Sequence, residues 1–477
     1  MNRVLVVSSH FPPRQAAGVY RTLRFVRYLP NFNWKVHVLT IDAQSYEPGV
    51  QIDSRLLDMV PDDVTVHTTK AIYPMQWLDR ARRMFRRRES TNENLPMYAP
   101  SFRSRNGTEG DEISTRTSKK ASATQFQRIK DALTIPLMTP DRTIGWIPFA
   151  GRRGKRVIRK HGVDVIYSSG PPWSNHLVAK RLKQSTDLPW VADFRDPWVG
   201  NDYRSQRRGN TWAGRRHRQL EQAVVQSADA VIMNTIRARD EMIGRHADVP
   251  PEKFSVITNG FDPLDWESEN STEAVGDEAM VSPNEKRKMI IAHAGSFYGK
   301  RSVEEFMVSL RNVCRTGHIP KGEIEVQLLG AQRGGRSVER ELVQRLDLEE
   351  IVRVLPPIPH DECLQKMRAA DLLLLIQSDA PLCIPGKVFE YIATGRPMLT
   401  LAADGATADL IRNAKLGPCI DPSDHQALES ELVHLFQCFK TGKKESNSQR
   451  DLRLQFDGRR LTRKLSETLK HVTAAQN

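Results

Sequence analysis

Lys387 and Glu390 stand three residues apart inside the stretch IPGKVFEYIATGRP, residues 384–397. Pro385 and Gly386 open it, and Gly395, Arg396 and Pro397 close it, leaving about two turns of helix between. On a helix that spacing puts the cation and the carboxylate on one face. A helix start offers free backbone N–H groups and the positive end of the dipole, which together attract an anion. Gly386 would let a phosphate approach the backbone closely, and Lys387 adds a point charge. Glu390, one turn on, could accept hydrogen bonds from ribose hydroxyls. The plainer alternative is a buried helix carrying a surface Lys–Glu pair.

A second group of chemistry-bearing residues is DFRDPW, residues 193–198, where Asp193 and Asp196 flank Arg195 just after an apolar run. A carboxylate there can act as a base toward a hydroxyl, or simply pair with the arginine. Upstream, SSGPPWSNH (168–176) ends in His176, either a site residue or one that caps and packs. PDRTIGW (140–146) stands near the same loops in sequence. Motifs of other chemistries are missing: no GxxxxGK[ST], GxGxxG, CxxC, HExxH or GxSxG occurs. P-loop, dinucleotide-dependent and serine-hydrolase readings therefore lose their main support, and no metal-binding spacing is present.

These residues need a scaffold that brings loop ends together. The chain has 477 residues, which suggests two domains of about 150–250 residues each. Its 39% hydrophobic and 27% charged content is that of a globular protein rather than a disordered or fibrous one. The longest apolar run, LLLLI at 372–376, falls far short of the roughly 18–20 residues a membrane span needs. The N-terminal run of four apolar residues reads as a buried strand, not a signal peptide. Five cysteines without paired spacing fit a reduced, cytoplasmic compartment. The net charge of +14 favours anionic partners such as phosphates or an anionic membrane face.

Short apolar runs alternate with helical spacing along both halves. VLVVSS, VHVLTI, DVIYSS, WVADF, AVIMNT and FSVITNG read as strands of the first half. MIIAHA, IEVQLLG, VRVL, LLLLIQ and PMLTLA read as strands of the second. The polar segment 267–286 is the expected linker. Residues 89–125, rich in Ser, Thr, Asn, Arg and Gly, read as a disordered insertion. The expected division is 1–266, 287–440, and a helical tail 441–477 packing back on the first domain. The basic run 80–88 has apolar residues interleaved and could lie on an anionic bilayer or be a solvated helix. No aromatic–basic pattern of a nucleic-acid module occurs.

The stretch 384–397 resembles the donor-site signature of GT-B glycosyltransferases similar to family 4, where a Pro/Ser-x-Lys-x-x-Glu pattern runs on to Gly-x-Pro. HFPPRQAAGVYRTLRF, ITNGFD, AGSFYGKRS, VQLLGA and ADLLLLIQS resemble further pieces of that family in the same order. The resemblance implies α/β domains in a GT-B architecture: two doubly wound, Rossmann-like domains facing across a cleft. It implies a nucleotide-diphosphate-sugar donor, a saccharide or lipid-linked acceptor, retention of configuration, and no metal or other cofactor. The donor would be held by Gly295, Lys300, Arg301, Gly386, Lys387 and Glu390. Pro13 and Gly18 would lie in the cleft loop, with Asp193, Asp196 and His176 as catalytic candidates. Many relatives carry a glutamate eight positions before Glu390, facing the donor sugar; this chain has Leu382 there. Gln377, Ser378 or Asp379 could stand in. That departure leaves open a sugar-nucleotide epimerase or a binding protein without catalysis.

Overall fold

The computed structural model describes residues 1–74, 136–200, 211–267, 287–295, 297, 301–331, 337–378, 380–442 and 449–475. The insertion expected at 89–125, the basic run 80–88, nearly all of the linker, Lys300 and Asp379 lie outside the described residues.

Two parallel sheets organise the chain. The first has seven strands in the order β3-β2-β1-β4-β5-β6-β7. These are β1 (Asn2–Val7), β2 (Trp34–Ile41), β3 (Thr65–Thr69), β4 (Val165–Gly170), β5 (Trp190–Phe194), β6 (Ala230–Met233) and β7 (Phe254–Val256). The second has six in the order β10-β9-β8-β11-β12-β13. These are β8 (Met289–Ala294), β9 (Ile324–Leu329), β10 (Val352–Leu355), β11 (Leu372–Gln377), β12 (Met398–Ala402) and β13 (Cys419–Ile420). Every described strand pairing is parallel, and the central strands are covered on both faces: β4, β5 and β11 are buried at every residue. Helices cover both faces of each sheet, giving four apolar clusters. This is the doubly wound GT-B arrangement that the resemblance implies.

The strand order fixes where a ligand belongs. In both sheets the order reverses at the strand that comes first in the sequence, between β1 and β4 and between β8 and β11. Connections leave such neighbours in opposite directions, opening a crevice beyond their carboxyl ends. The connections after β1, β4, β8 and β11, loops together with the helices they lead into, carry Pro13, Gly18, His176, Gly295 and Lys387.

The last helix, Gly458–Ala474, returns to the first domain. Asp457 starts it by accepting from the Arg459 backbone N–H at 2.6 Å. Leu461, Leu465, Leu469 and Val472, spaced for one face, enter the core with Val4, Val6, Phe25 and Trp34. The Trp34 indole donates to Ser466 Oγ at 2.9 Å. Thus residues far apart in the chain close one domain. The two domains also touch directly: Thr235 Oγ donates to the Leu382 carbonyl at 2.7 Å, and Arg237 pairs with Asp404 and Asp409.

Among the described residues, no helix is long and apolar enough to cross a membrane.

Candidate functional site

The helix Lys387–Thr394 is seated by its own apolar face. Val388, Phe389, Tyr391 and Ile392 are buried. The Tyr391 hydroxyl receives the Ala294 backbone N–H at 2.8 Å and reaches the Leu374 carbonyl at 3.3 Å. One phenol thereby ties the helix to the end of β8 and the middle of β11. Gly395 stops the helix in the left-handed conformation, φ 68°.

That seating places Lys387 over the turn after β8. Its ammonium donates to the Ala294 carbonyl at 2.9 Å and to His293 Nε2 at 3.0 Å. His293 is buried, and its Nδ1 meets the Leu374 carbonyl at 2.9 Å. A carbonyl only accepts, so the proton sits on Nδ1 and Nε2 offers its lone pair to the lysine. Burial, then Lys387, holds the imidazole well below its usual pKa, which keeps it neutral. Lys387 has three donors and these contacts use two. Burial and the neighbouring Arg301 pull its pKa down to about 7, with Glu390 acting the other way. The site is thus short of negative charge.

Glycines keep space around this ammonium. Gly295 has φ +106°, a conformation side-chain-bearing residues rarely adopt, and a Cβ there would lie 3.5 Å from Lys387 Nζ. Gly386 is exposed, with nothing within 4 Å of where its Cβ would be. Its backbone is ordinary helix, φ −55° and ψ −35°, so neither backbone conformation nor packing within the chain requires glycine there.

Glu390 faces the other domain. Burial raises its pKa, offset by His360 and then by Arg24 and Lys387, while Asp265 adds to the rise. His360 is raised by its bond to Asp265, against burial, with Glu390 helping. Its ring lies 5.7 Å from that of Tyr20 on the first domain. At the end of β11, Gln377 is 3% exposed, and neither its amide oxygen nor its nitrogen has a partner among the described residues. Leaving such atoms unsatisfied costs roughly 1–3 kcal/mol each, so Gln377 is built to meet something polar. Leu382 is not pointed at open space: it packs against the first domain's core.

The three catalytic candidates separate. Asp193 is fully buried and holds Arg21 through two bonds of 2.7 and 2.9 Å. It also accepts from Tyr167 at 2.7 Å and Ser169 at 2.8 Å. Burial alone would raise its pKa, yet Arg21 and these donors win and hold it below the usual value. Arg21 then ties down the Ile257 and Thr258 carbonyls at 2.8 Å. Asp193 is a structural anchor, not an accessible base, and its partner is Arg21 rather than Arg195. His176 is likewise fully buried, stacked 4.7 Å from Phe194, with Nδ1 2.8 Å from Ser168 Oγ. Burial drops its pKa to about 3, so it is a core imidazole. Asp196 stays half-buried at the crevice, its pKa raised by burial against Arg195 and Arg21. The Cys383 thiol of the other domain, pushed up to about 12 by burial, feels both Asp196 and Arg301.

The loop after β1 is fastened by Arg195, which donates to the Gly18 carbonyl at 2.7 Å and to the Pro171 carbonyl. A Cβ on Gly18 would overlap that guanidinium. Pro13 accepts from the Asp53 backbone N–H at 2.9 Å. His10 in this loop escaped sequence reasoning. It is half-buried, its Nδ1 has no partner among the described residues, and burial, Arg14 and Arg195 keep it neutral. Tyr20, Arg24 and His360 were missed as well. Their only sequence signal was proximity to loops already singled out.

Comparison with known proteins agrees with this fold. The family model described as Glycosyltransferase Family 4 matches residues 109–263. The chain is similar to D-inositol 3-phosphate glycosyltransferase of Corynebacterium kroppenstedtii, 26% identical over 191 residues, 39% of this chain and 41% of that protein. It is also similar to the enzyme of that name from Corynebacterium urealyticum, 25% identical over 291 residues, 58% of this chain and 64% of that one. The alignments thus span less than two thirds of either relative. Among solved structures, sucrose-phosphate synthase from Thermosynechococcus elongatus superposes with TM-score 0.59 at 15% identity, covering 100% of both chains. Anabaena HepE, solved in complex with UDP-glucose, gives 0.56 at 15% identity, covering 98% of this chain and 99% of that one. These structural likenesses speak for the fold alone.

Proposed function

We propose that this chain, a GT-B protein related to glycosyltransferase family 4, moves a sugar from a nucleotide-diphosphate-sugar to a hydroxyl acceptor. The observation that carries the reading is Lys387: a helix-start ammonium with pKa about 7 and a donor to spare, beside Gly295 and open Gly386. A diphosphate there would meet the helix dipole, Lys387 and Arg301. Glu390 would hold ribose hydroxyls. The unpartnered Gln377 amide would meet sugar hydroxyls, taking up the part that Leu382 leaves vacant.

Transfer would follow as the diphosphate departs. Negative charge grows on the leaving oxygen, and groups already aimed at it lower the barrier without reorganising. Lys387, Arg301 and the helix start supply that charge, so the departing diphosphate would not need a metal; retention is what the resemblance to family 4 implies. Asp196 and the neutral His10 lie on the acceptor side of the crevice. A lipid-linked or saccharide acceptor, polysaccharide or glycolipid synthesis, and cytoplasmic or peripheral membrane placement belong to the same proposal. The similar enzymes named for D-inositol 3-phosphate make a phosphorylated polyol one acceptor worth offering.

Leu382 favours one competing reading, a nucleotide-binding protein without turnover, since its side chain is spent on the first domain's core. Thermal melting in UDP, GDP and ADP tests the donor site shared by both readings. One nucleotide is expected to raise the melting temperature of wild type and to lose that effect in Lys387→Ala and Glu390→Ala. No shift with any nucleotide, or equal shifts in both variants, sinks the assignment.

A further inference from the structure

Away from the crevice, three histidines converge on the outer edge of the first sheet. His37 lies in β2, His67 in β3, and His161 ends the helix Ile147–His161 that packs across both strands. Each offers a ring nitrogen, and the three nitrogens lie within 4.8 Å of one another. His37 is 1% and His67 7% exposed, while His161 is half-buried. The ring centroids are 4.6–5.4 Å apart.

We propose that His37, His67 and His161 form a zinc site that clamps the helix Ile147–His161 onto strands β2 and β3. His37 Nδ1 and His67 Nε2 are 3.3 Å apart. Two nitrogens at 2.0–2.1 Å on a tetrahedral zinc stand about 3.3–3.4 Å apart, so this pair already has the required separation. The third nitrogen has to close by at most about 1.5 Å, and it sits on a helix-end side chain that is partly free to move. Among the described residues one hydrogen bond, between His37 Nδ1 and His67 Nε2, links these rings, so hydrogen bonding accounts for two of the three convergent nitrogens and not for the third. Imidazole nitrogens suit zinc, copper and nickel, and zinc accepts a three-histidine set with water or an anion fourth.

The surroundings set the fourth ligand. Arg3, Lys35, Arg153 and Lys160 act on these rings from β1, β2 and the helix. Their charge disfavours a bare dication and favours hydroxide or phosphate completing the shell. His37 stands four residues before the end of β2, so the ion would lie well below the crevice and act on stability, not on sugar transfer.

The experiment is zinc titration of the full, tag-free chain after EDTA treatment, read by calorimetry and by thermal melting. Wild type is expected to bind one equivalent of zinc chloride and to melt higher when loaded. His161→Gln and His67→Gln should each weaken binding at least about 100-fold, the upper end of what loss of a partner behind a ligand costs. His161→Gln lies at a half-exposed helix end, which keeps the test open if the buried variant fails to fold. His434→Gln, on another helix, should bind as wild type. Absence of one-to-one binding by wild type, or undiminished binding by His161→Gln, overturns the proposal.

Discussion

Raising the pH from about 6 to about 8 is expected to weaken nucleotide-sugar binding about tenfold. The lever is Lys387, whose pKa of about 7 in the free protein follows from burial and from Arg301. A diphosphate brought against its ammonium restores the pKa toward the ordinary lysine value, so the complex takes up a proton. Between the two values each pH unit costs about 1.36 kcal/mol, or a factor of ten in affinity. The sign for folding is opposite. The unfolded chain keeps a proton that the folded one sheds above pH 7, so Lys387 adds stability as pH rises from about 7 toward its unfolded value. A nucleotide-sugar is the right probe because its diphosphate lacks the terminal phosphate ionisation near pH 6 that a free nucleoside diphosphate carries. Calorimetry in two buffers of different protonation heat counts the protons directly. Lys387→Arg stays charged throughout and should bind with a flat pH profile. Lys387→Ala should bind about 10–150-fold more weakly, the loss of a charge-assisted hydrogen bond of about 1.5–3 kcal/mol, also with a flat profile. No proton uptake by wild type at about pH 8, or the same slope in all three proteins, refutes the reasoning.

Asp193→Ala leaves the Arg21 guanidinium buried and unpaired, and urea unfolding should record a loss of about 3–5 kcal/mol. Asp196→Asn should fold like wild type and show its effect in turnover alone, measured as kcat. Gly386→Ala should leave stability within about 1 kcal/mol of wild type yet weaken nucleotide binding by calorimetry, because its methyl enters the open space beside Lys387. Gly295→Ala should lower stability by about 1–3 kcal/mol through its positive φ. Leu465→Ala should cost about 2–5 kcal/mol in urea unfolding, since that fully buried side chain locks the last helix into the first domain.

The sheet strands with continuous apolar runs were legible in sequence because burial on both faces leaves no polar alternation to confuse. β3, TVHTT, was not: it is an edge strand with only His67 buried, and its composition reads as a loop. β13 has two residues and no run at all. The helix Lys387–Thr394 was legible because its stops and its charges are local. The Arg21–Asp193 pair joins residues 172 positions apart, so nothing near DFRDPW could distinguish a crevice carboxylate from a buried anchor. His176 misled for the same reason, its loop being exposed in sequence pattern while its ring turns inward. Gln377 was readable as a polar residue ending an apolar strand; that its amide would be buried and left unpartnered depends on tertiary packing. The His37, His67 and His161 cluster has no spacing signature, since parallel strands and a crossing helix bring it together.

The central claim is that a nucleotide-sugar is held and consumed at the helix start around Lys387. Release of nucleoside diphosphate from a panel of UDP-, GDP- and ADP-sugars, with and without hydroxyl acceptors, measures it most directly. The account predicts that one base series is consumed, faster with an acceptor, and that Lys387→Ala lowers the rate about 100-fold, some 2.7 kcal/mol of leaving-group stabilisation. Consumption of no series, or an unchanged rate in Lys387→Ala, would contradict it.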